Sequence, residues 1–207
     1  MRIGGFLKQS LIDWEGKLVA VVFTKGCNFR CGYCHNPSLV VPELLNDTPD
    51  VPQEEVFAYL SARREWLDGV VVTGGEPTLQ KDLPDFLKRV RALGLRVKLD
   101  TNGTHPEVLS ELFREKLVNF VALDVKHFVV RESYALVTPT VTEAQVEAVR
   151  CTLELLRAHG EVGRQFRTTL IPDVHAPDTV HRLSEMFAPD KIRFQEFRDG
   201  NLVRDYI

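Results

Sequence analysis

The chain of 207 residues has few cysteines, no large excess of charge of one sign and no long apolar run. Four cysteines, three of them close together, cannot form the disulfide framework of a small secreted domain, so a reducing cytoplasm is expected. The formal net charge of −3 gives no reason to expect nucleic acid or a membrane surface as the main partner. No apolar run approaches the roughly 20 residues of a membrane-spanning helix, and the first residues do not resemble a signal peptide. We therefore expect a cytoplasmic globular protein that binds neither nucleic acid nor membranes.

The remaining composition is ordinary for a globular protein. Hydrophobic residues make up 44% of the chain and charged residues 27%. There is no internal repeat, low-complexity tract or evident linker, and we interpret the stretch from Pro42 to Pro52 as a loop. We expect a single domain over residues 1–207, with enough residues to bury a substantial core.

Short apolar runs alternate with amphipathic helical patterns along the chain. Asp82 is an N-cap candidate for a helix that ends near Gly94, and Thr142 with Gln145 forms a capping-box pattern. Further helices are predicted at roughly 52–67, 106–116 and 177–187, and strands at 18–24, 69–73, 95–99, 118–124, 165–171 and 191–197. The alternation predicts an α/β fold with a parallel sheet, to which residues 3–14 add a strand or hairpin.

Polar or glycine-containing clusters follow each predicted strand directly. In barrel-like α/β folds, the functional site lies at the carboxyl ends of the strands, so these clusters should meet at one rim. In chain order they are the three cysteines, Gly74-Gly75-Glu76-Pro77, Asp100-Thr101-Asn102-Gly103, Asp124-Val125-Lys126, Pro172-Asp173-Val174-His175 and Arg198-Asp199-Gly200-Asn201.

Three cysteines, Cys27, Cys31 and Cys34, lie within eight residues. Three soft thiolates at this spacing can hold an iron–sulfur cluster and leave one iron of a cubane open to an external ligand. Cys151 is far downstream within a helical pattern and is a poor candidate for a fourth ligand. Two alternatives use the same residues: a c-type haem attachment pattern from Cys31 to His35, and a Cys3His zinc site with His35 as fourth ligand.

The C-x3-C-x2-C spacing, with an aromatic residue before the last cysteine, resembles the signature of the radical S-adenosylmethionine enzymes. The resemblance implies a partial (β/α)6 barrel and a [4Fe–4S] cluster on Cys27, Cys31 and Cys34. It further implies that the unique iron binds S-adenosylmethionine, and that one electron cleaves this cofactor to methionine and a 5′-deoxyadenosyl radical.

Other motifs are similar to those of the related pyruvate formate-lyase activating enzyme. Gly74, Gly75 and Glu76 suit the ammonium group of S-adenosylmethionine, because glycines permit close approach and a carboxylate accepts charged hydrogen bonds. The resemblance implies cofactor-binding roles for the residues of the next two clusters and for two others, namely Asp100, Thr101, Asn102, Asp124, Lys126, Tyr33 and Arg167.

Among these residues, the resemblance places Asp100, Thr101 and Asp124 around a possible monovalent cation beside the methionine carboxylate. It places Lys126 at the nucleotide and Tyr33 near adenine. A histidine of the relative has no counterpart here, since this chain has Gln-Glu-Phe-Arg at 195–198. The histidines at positions 105, 127, 159, 175 and 181 match no motif, and surface or helix-end roles are expected for them.

Residues 3–17 and 23–37 together resemble the activating proteins of the anaerobic ribonucleoside-triphosphate reductase. The implied reaction is abstraction of hydrogen from a glycine of a partner glycyl-radical enzyme, with reduced flavodoxin or ferredoxin as electron donor. Two alternatives remain open. The chain could activate another glycyl-radical enzyme or act on a small molecule by the same chemistry, or it could be a non-catalytic metal or electron-transfer module.

Overall fold

Seven strands form one sheet in which the order across the sheet follows the order along the chain. The computed structural model describes residues 1–206. Strands β1 and β2 pair antiparallel, and all later neighbours pair parallel. The strands are β1 Ile3–Ser10, β2 Val19–Thr24, β3 Gly69–Gly74, β4 Arg96–Thr101, β5 Phe120–Asp124, β6 Gly163–Leu170 and β7 Ile192–Glu196. The sheet is a partial barrel, because β1 and β7 each pair on one side only within residues 1–206. The predicted α/β fold with an added N-terminal strand is confirmed.

Eight α-helices connect the strands in the part of the chain that the structure describes. They are α1 Pro37–Val40, α2 Pro42–Asp47, α3 Gln53–Arg63, α4 Leu83–Ala92, α5 Pro106–Arg114, α6 Arg131–Ala135, α7 Glu143–Ala158 and α8 Pro177–Met186. The prediction of a loop from Pro42 to Pro52 was wrong for its first half, which forms α2. Pro42 suits the first position of a helix, because its ring sets a helical φ and its missing amide hydrogen would be unpaired there anyway. None of the helices in residues 1–206 combines the length and apolar character needed to cross a bilayer.

The central strands are buried on both faces, which explains their continuous apolar runs. In β3, Val70 and Val72 belong to the large core cluster that includes Phe86 of α4. Val71 between them belongs to a smaller cluster around Trp14. Apolar packing thus covers both faces of the central strands, and the polar carboxyl ends of the strands are the place for a site.

Two predicted helix caps had different outcomes. The capping box of α7 is confirmed, with Gln145 N donating to Thr142 Oγ1 at 3.2 Å and Thr142 N donating to Gln145 Oε1 at 2.9 Å. Asp82 lies at the N-cap position of α4, but its carboxylate caps no backbone amide. It instead binds the amino group of Met1 and the side chain of Gln53. The predicted N-cap position of Asp82 is therefore confirmed, but the charged chain terminus, and not a helix amide, is the partner of its carboxylate.

Candidate active site

A cavity of about 240 Å³ lies at the carboxyl ends of the central strands. The residues for which cluster-holding or cofactor-binding roles were predicted are all in its wall: Cys27, Cys31, Tyr33, Cys34, Gly74, Gly75, Glu76, Asp100, Thr101, Asn102, Asp124, Lys126 and Arg167. The predicted clusters at 172–175 and 198–201 do not line this cavity. The parallel register places these residues from β2 to β6 at one end of the barrel.

The loop between β2 and α1 carries the three cysteines and is held by a downstream segment. The amide of Val203 donates to the Cys34 carbonyl at 3.0 Å, and the amide of Arg204 donates to the Gly32 carbonyl at 3.1 Å. Val203 is fully buried and packs in an apolar cluster with residues of α1. The outer side of the cysteine loop is therefore fixed by backbone hydrogen bonds rather than left free.

The three cavity thiols favour the protonated form in the absence of a metal group. Burial raises the pKa of Cys27 to about 12 and that of Cys31 to about 11, and it also raises the pKa of Cys34. The Lys126 ammonium acts against this rise in pKa at all three. Metal ligation needs thiolates, so a bound metal group would have to displace these protons. Cys151 is exposed on α7 and does not line the cavity.

His35, the proposed fourth ligand in the zinc alternative, has another partner. Its Nε2 lies 2.6 Å from the carbonyl oxygen of Arg198 and donates to it. Across residues 1–206, no group of three or more His, Cys, Asp or Glu side chains is arranged to hold a single metal ion.

Gly74 and Gly75 bring the end of β3 against the start of the cysteine loop. Gly74 has a φ of +111°, and a Cβ on Gly75 would lie 2.0 Å from the carbonyl oxygen of Gly26. The Gly75 amide donates to the Thr24 carbonyl at 2.9 Å, and the Glu76 amide donates to the Gly26 carbonyl at 2.7 Å. These glycines were predicted to permit close approach by a ligand, whereas the structure shows that they permit close approach by the chain's own backbone.

Glu76 is only 1% exposed and accepts four hydrogen bonds from the protein. Its Oε1 accepts from Thr78 Oγ1, Thr78 N and Thr101 Oγ1, at 2.5, 3.1 and 2.8 Å. Its Oε2 accepts from the Asn102 amide at 2.7 Å. Burial raises the pKa of Glu76, and hydrogen bonds from Asn102, Thr78 and Thr101 oppose that rise. Glu76 therefore fixes the loop after β4, and its Oε2, which accepts one hydrogen bond, keeps capacity for a second donor.

Arg167 joins the acidic residues at the ends of two strands. Its Nη2 lies 3.1 Å from Asp100 Oδ2, and its Nε binds Asp124 Oδ1. Lys126 Nζ lies 3.5 Å from Asp124 Oδ2. Burial acts to raise the pKa of Asp124, but the charges of Arg167 and Lys126 outweigh it and lower this pKa to about 2. Three acidic residues, including Glu76, thus face two cations in the cavity wall.

Asp100 has one oxygen without a hydrogen bond. Its Oδ1 is buried and accepts none from the protein, and Lys98 Nζ is 3.5 Å away. The Lys98 ammonium is thus the charged partner of this oxygen, and Asp100 lies between two cations, Lys98 and Arg167.

Tyr33 and Lys126 form another part of the cavity wall. Lys126 Nζ lies 5.6 Å from the centre of the Tyr33 ring. Burial raises the pKa of the Tyr33 phenol, so the hydroxyl stays protonated at neutral pH. The ring therefore offers the cavity an apolar face beside a cation.

Sequence reasoning missed two groups near the site. Asn28 and Thr104 form hydrogen bonds with Asn102 behind the cavity wall, and no motif marks either residue. His127 and His175 are buried, with stacked rings 5.1 Å apart. The expectation of a surface or helix-end position was wrong for His127, whereas His175 directly precedes the N-cap residue of α8. His175 Nε2 donates to the carbonyl of Lys126 at 3.0 Å, which places this pair directly below a cavity residue.

The fold and the cavity define an α/β barrel protein whose site combines thiols with charged polar groups at the strand ends. Residues 21–183 match the profile of the Radical SAM superfamily, and the chain belongs to that family. Members of this superfamily use a [4Fe–4S] cluster and S-adenosylmethionine, and these are the cofactors of this chain.

The chain is also similar to individual proteins. A protein of Methanocaldococcus jannaschii named as a glycyl-radical enzyme activating enzyme is 42% identical over 125 residues, which cover 60% of this chain and 50% of that protein. A protein of Pyrococcus abyssi named as a GTP 3',8-cyclase is 34% identical over 108 residues, which cover 51% of this chain and 34% of that protein. The chain thus spans about half the length of the first relative and a third of the second.

Among solved structures, native anSMEcpe with bound AdoMet aligns with a TM-score of 0.64 at 18% identity. The alignment covers 85% of this chain and 50% of that one. At this identity the likeness concerns the fold, and it agrees with the partial barrel described above.

Proposed function

We propose that this protein cleaves S-adenosylmethionine reductively and activates a partner glycyl-radical enzyme in the cytoplasm by removing hydrogen from one of its glycines. When bound, the cluster and S-adenosylmethionine supply the electron and the 5′-deoxyadenosyl radical for this step. The observation that carries the proposal is the meeting of three thiols and a set of charged polar groups in one cavity.

Cys27, Cys31 and Cys34 would hold the cluster. Three thiols face the cavity while the fourth cysteine lies outside it, which suits a cubane with one iron left for a ligand. Burial of the cysteines would exclude water from the bound group, and Lys126 would offset part of the negative charge that the thiolates bring.

The opposite wall suits S-adenosylmethionine. Glu76 Oε2 has acceptor capacity for an ammonium group, and the acidic excess of the wall complements a sulfonium cation. By the likeness of the motifs at residues 100–101 and 124–126, Asp100, Thr101 and Asp124 would hold a monovalent cation beside the cofactor carboxylate. Tyr33 would present its ring to the adenine, and Arg167 would position both aspartates.

The open side of the barrel supports a polypeptide substrate. A second cavity of about 310 Å³ lies between β7 and the segment of residues 12–15 that follows β1. Arg167 lines both this cavity and the first one. An extended segment of a partner protein could therefore enter between the two sheet edges and extend toward the cofactor. Among the polar groups of this second cavity are Gln165 and Gln195, which can hydrogen-bond a peptide backbone.

The particular partner that we propose is the anaerobic ribonucleoside-triphosphate reductase, with reduced flavodoxin or ferredoxin as electron donor. The support is the relative named as a glycyl-radical enzyme activating enzyme and the motifs at residues 3–17 and 23–37. The relative named as a GTP 3',8-cyclase favours a second candidate, which is radical chemistry on a small molecule.

Anaerobic reconstitution with iron and sulfide, followed by dithionite and S-adenosylmethionine, tests the general proposal. Release of methionine and 5′-deoxyadenosine is expected, and a protein that binds only zinc or cleaves nothing would contradict it. Addition of the anaerobic reductase should then give the paramagnetic resonance signal of a glycyl radical. Cofactor cleavage that depends on GTP, with no radical on any candidate partner, would favour the small-molecule reaction instead.

A further inference from the structure

The side-chain amide of Asn102 is directed at the sulfur of a cysteine. Its Nδ2 lies 3.9 Å from Cys27 Sγ and 2.8 Å from Asn28 Oδ1. We propose that Asn102 raises the reduction potential of the cluster by donating an N–H···S hydrogen bond to Cys27. The inference rests on the proposed function, because it requires a cluster on Cys27.

The orientation of the Asn102 amide is determined by its neighbours. Asn102 Oδ1 accepts from the backbone amide of Thr104 at 3.1 Å and from Thr104 Oγ1 at 2.7 Å. A backbone amide can only donate, so the atom facing it must be the oxygen. The NH2 group therefore faces Asn28 and Cys27.

Three side chains form a closed hydrogen-bonded ring that holds this amide. Asn28 Nδ2 donates to Thr104 Oγ1 at 2.8 Å, Thr104 Oγ1 donates to Asn102 Oδ1, and Asn102 Nδ2 donates to Asn28 Oδ1. One N–H of Asn102 is used by Asn28, and the second is left for Cys27. Asn102 and Thr104 are 6% and 7% exposed, so water competes little for these bonds.

The backbone of Asn102 is also anchored, since its amide donates to Glu76 Oε2 at 2.7 Å. Cys27 Sγ has a further donor in the backbone amide of Phe29, at 3.4 Å. Within residues 1–206, the contact from Asn102 is the only hydrogen bond that a side-chain N–H donates to a cysteine of the cavity. Cys27 thus receives two N–H groups.

Hydrogen bonds to ligand sulfurs are one of the factors that set the potential of an iron–sulfur cluster. A donor stabilises the additional negative charge of the reduced cluster, so it raises the potential. The effect is larger in a buried site, where the dielectric is low. Loss of the Asn102 amide should therefore make the cluster harder to reduce while all three thiolates remain.

The test is a redox titration of anaerobically reconstituted protein, without S-adenosylmethionine, followed by paramagnetic resonance. In Asn102→Leu, the ratio of reduced to oxidised cluster at a fixed potential should fall about tenfold, which is 59 mV for one electron. Asn28→Ala keeps the amide but removes its acceptor, so a smaller shift in the same direction is expected.

Asn119→Leu is the matched control. Asn119 lies just before β5, and its Oδ1 accepts from the Val97 amide at 2.9 Å and from Arg91 at 3.0 Å. Its loss should lower the thermal unfolding temperature but leave the cluster potential unchanged.

Iron content is measured first for each protein. If the parent protein holds no cluster, both the proposed function and this inference fail. If Asn102→Leu holds as much iron as the parent and has the same potential, only this inference fails. Should Asn102→Leu not fold, Asn28→Ala decides, and an unshifted potential in that variant overturns the inference.

Discussion

Arg167 on β6 extends past β5 to Asp100 on β4, with its Nη2 3.1 Å from Asp100 Oδ2. The same guanidinium binds Asp124 at the end of β5. Its side chain is 15% exposed and that of Asp100 is 9% exposed. One buried cation therefore balances the charges at the ends of two strands in the cavity wall.

Replacement of Arg167 by leucine should destabilise the protein strongly. The change removes the nearer cation from Asp100 and Asp124, which then keep only Lys98 and Lys126, each at 3.5 Å. Breaking a buried pair in this way costs about 3–5 kcal/mol, and the remaining lysines favour the lower end of that range. Urea unfolding of the cluster-free protein measures the loss. Arg157→Leu is the control, because Arg157 is 42% exposed in its pair with Asp190 and its loss should cost about 1 kcal/mol or less. Equal losses in the two variants would contradict the assignment of Arg167.

Gly75→Ala should disrupt the contact between β3 and the cysteine loop. The new Cβ would lie 2.0 Å from the Gly26 carbonyl oxygen, so the backbone must shift, at a cost of about 1–3 kcal/mol or more. Iron retention after reconstitution should fall together with the unfolding temperature. In Gly160→Ala the added Cβ meets nothing within 4 Å, so stability should stay equal or rise. A Gly75→Ala protein as stable as Gly160→Ala would refute the close approach.

Stability should decrease as the pH falls from about 6.5 to about 4. Burial lowers the pKa of His127 to about 4 and also lowers the pKa of His175, whereas an unfolded histidine has a pKa near 6.5. The unfolded chain therefore takes up protons first, and the stabilisation present above pH 6.5 is lost through this window. Each unit of pKa difference corresponds to about 1.4 kcal/mol.

Unfolding free energies at pH 7.5 and pH 4.5 measure this dependence, and His127→Phe should reduce it while retaining an aromatic ring in the stack. An unchanged pH dependence in His127→Phe would mean that His127 is not responsible. The lowered pKa of Asp124 affects stability only at more acidic pH, below about 4, so the two effects are separable.

The cysteines should differ sharply in their effect on cluster content. Cys31→Ala removes a cavity thiol, so reconstituted protein should hold no stable cluster and should not cleave S-adenosylmethionine. Cys151→Ser changes an exposed thiol on α7 and should leave iron content and cleavage intact. Iron and sulfide analysis with visible absorption is sufficient for both variants. Loss of the cluster in Cys151→Ser would indicate a site with four protein thiolates.

The positions of the strands and the composition of the cavity wall were predictable because each depends on local sequence. Runs such as Val70–Val72 are apolar throughout, which is typical of strands covered on both faces, and the polar clusters follow such runs directly. Once parallel strands are placed side by side, their loops must meet at one rim. Chain order alone therefore brings residues as distant as Cys27 and Arg167 to one cavity.

The direction of individual side chains was not predictable in the same way. Glu76 directs its carboxylate to Thr101 and Asn102, and Asp82 binds Met1 instead of capping its helix. The burial of His127 also depends on a partner far along the chain. Each outcome is a competition among donors and acceptors that meet only in the folded protein, and a single sequence does not rank such partners.

The hydrogen bonds from Val203 and Arg204 to the cysteine loop have a consequence for the order of assembly. The thiols are synthesised early, but the segment that fixes their loop leaves the ribosome much later. A cluster inserted during synthesis would occupy a loop that is still without its outer support. Stable insertion of a cluster is therefore expected only after residues 203 and 204 have folded against the cysteine loop.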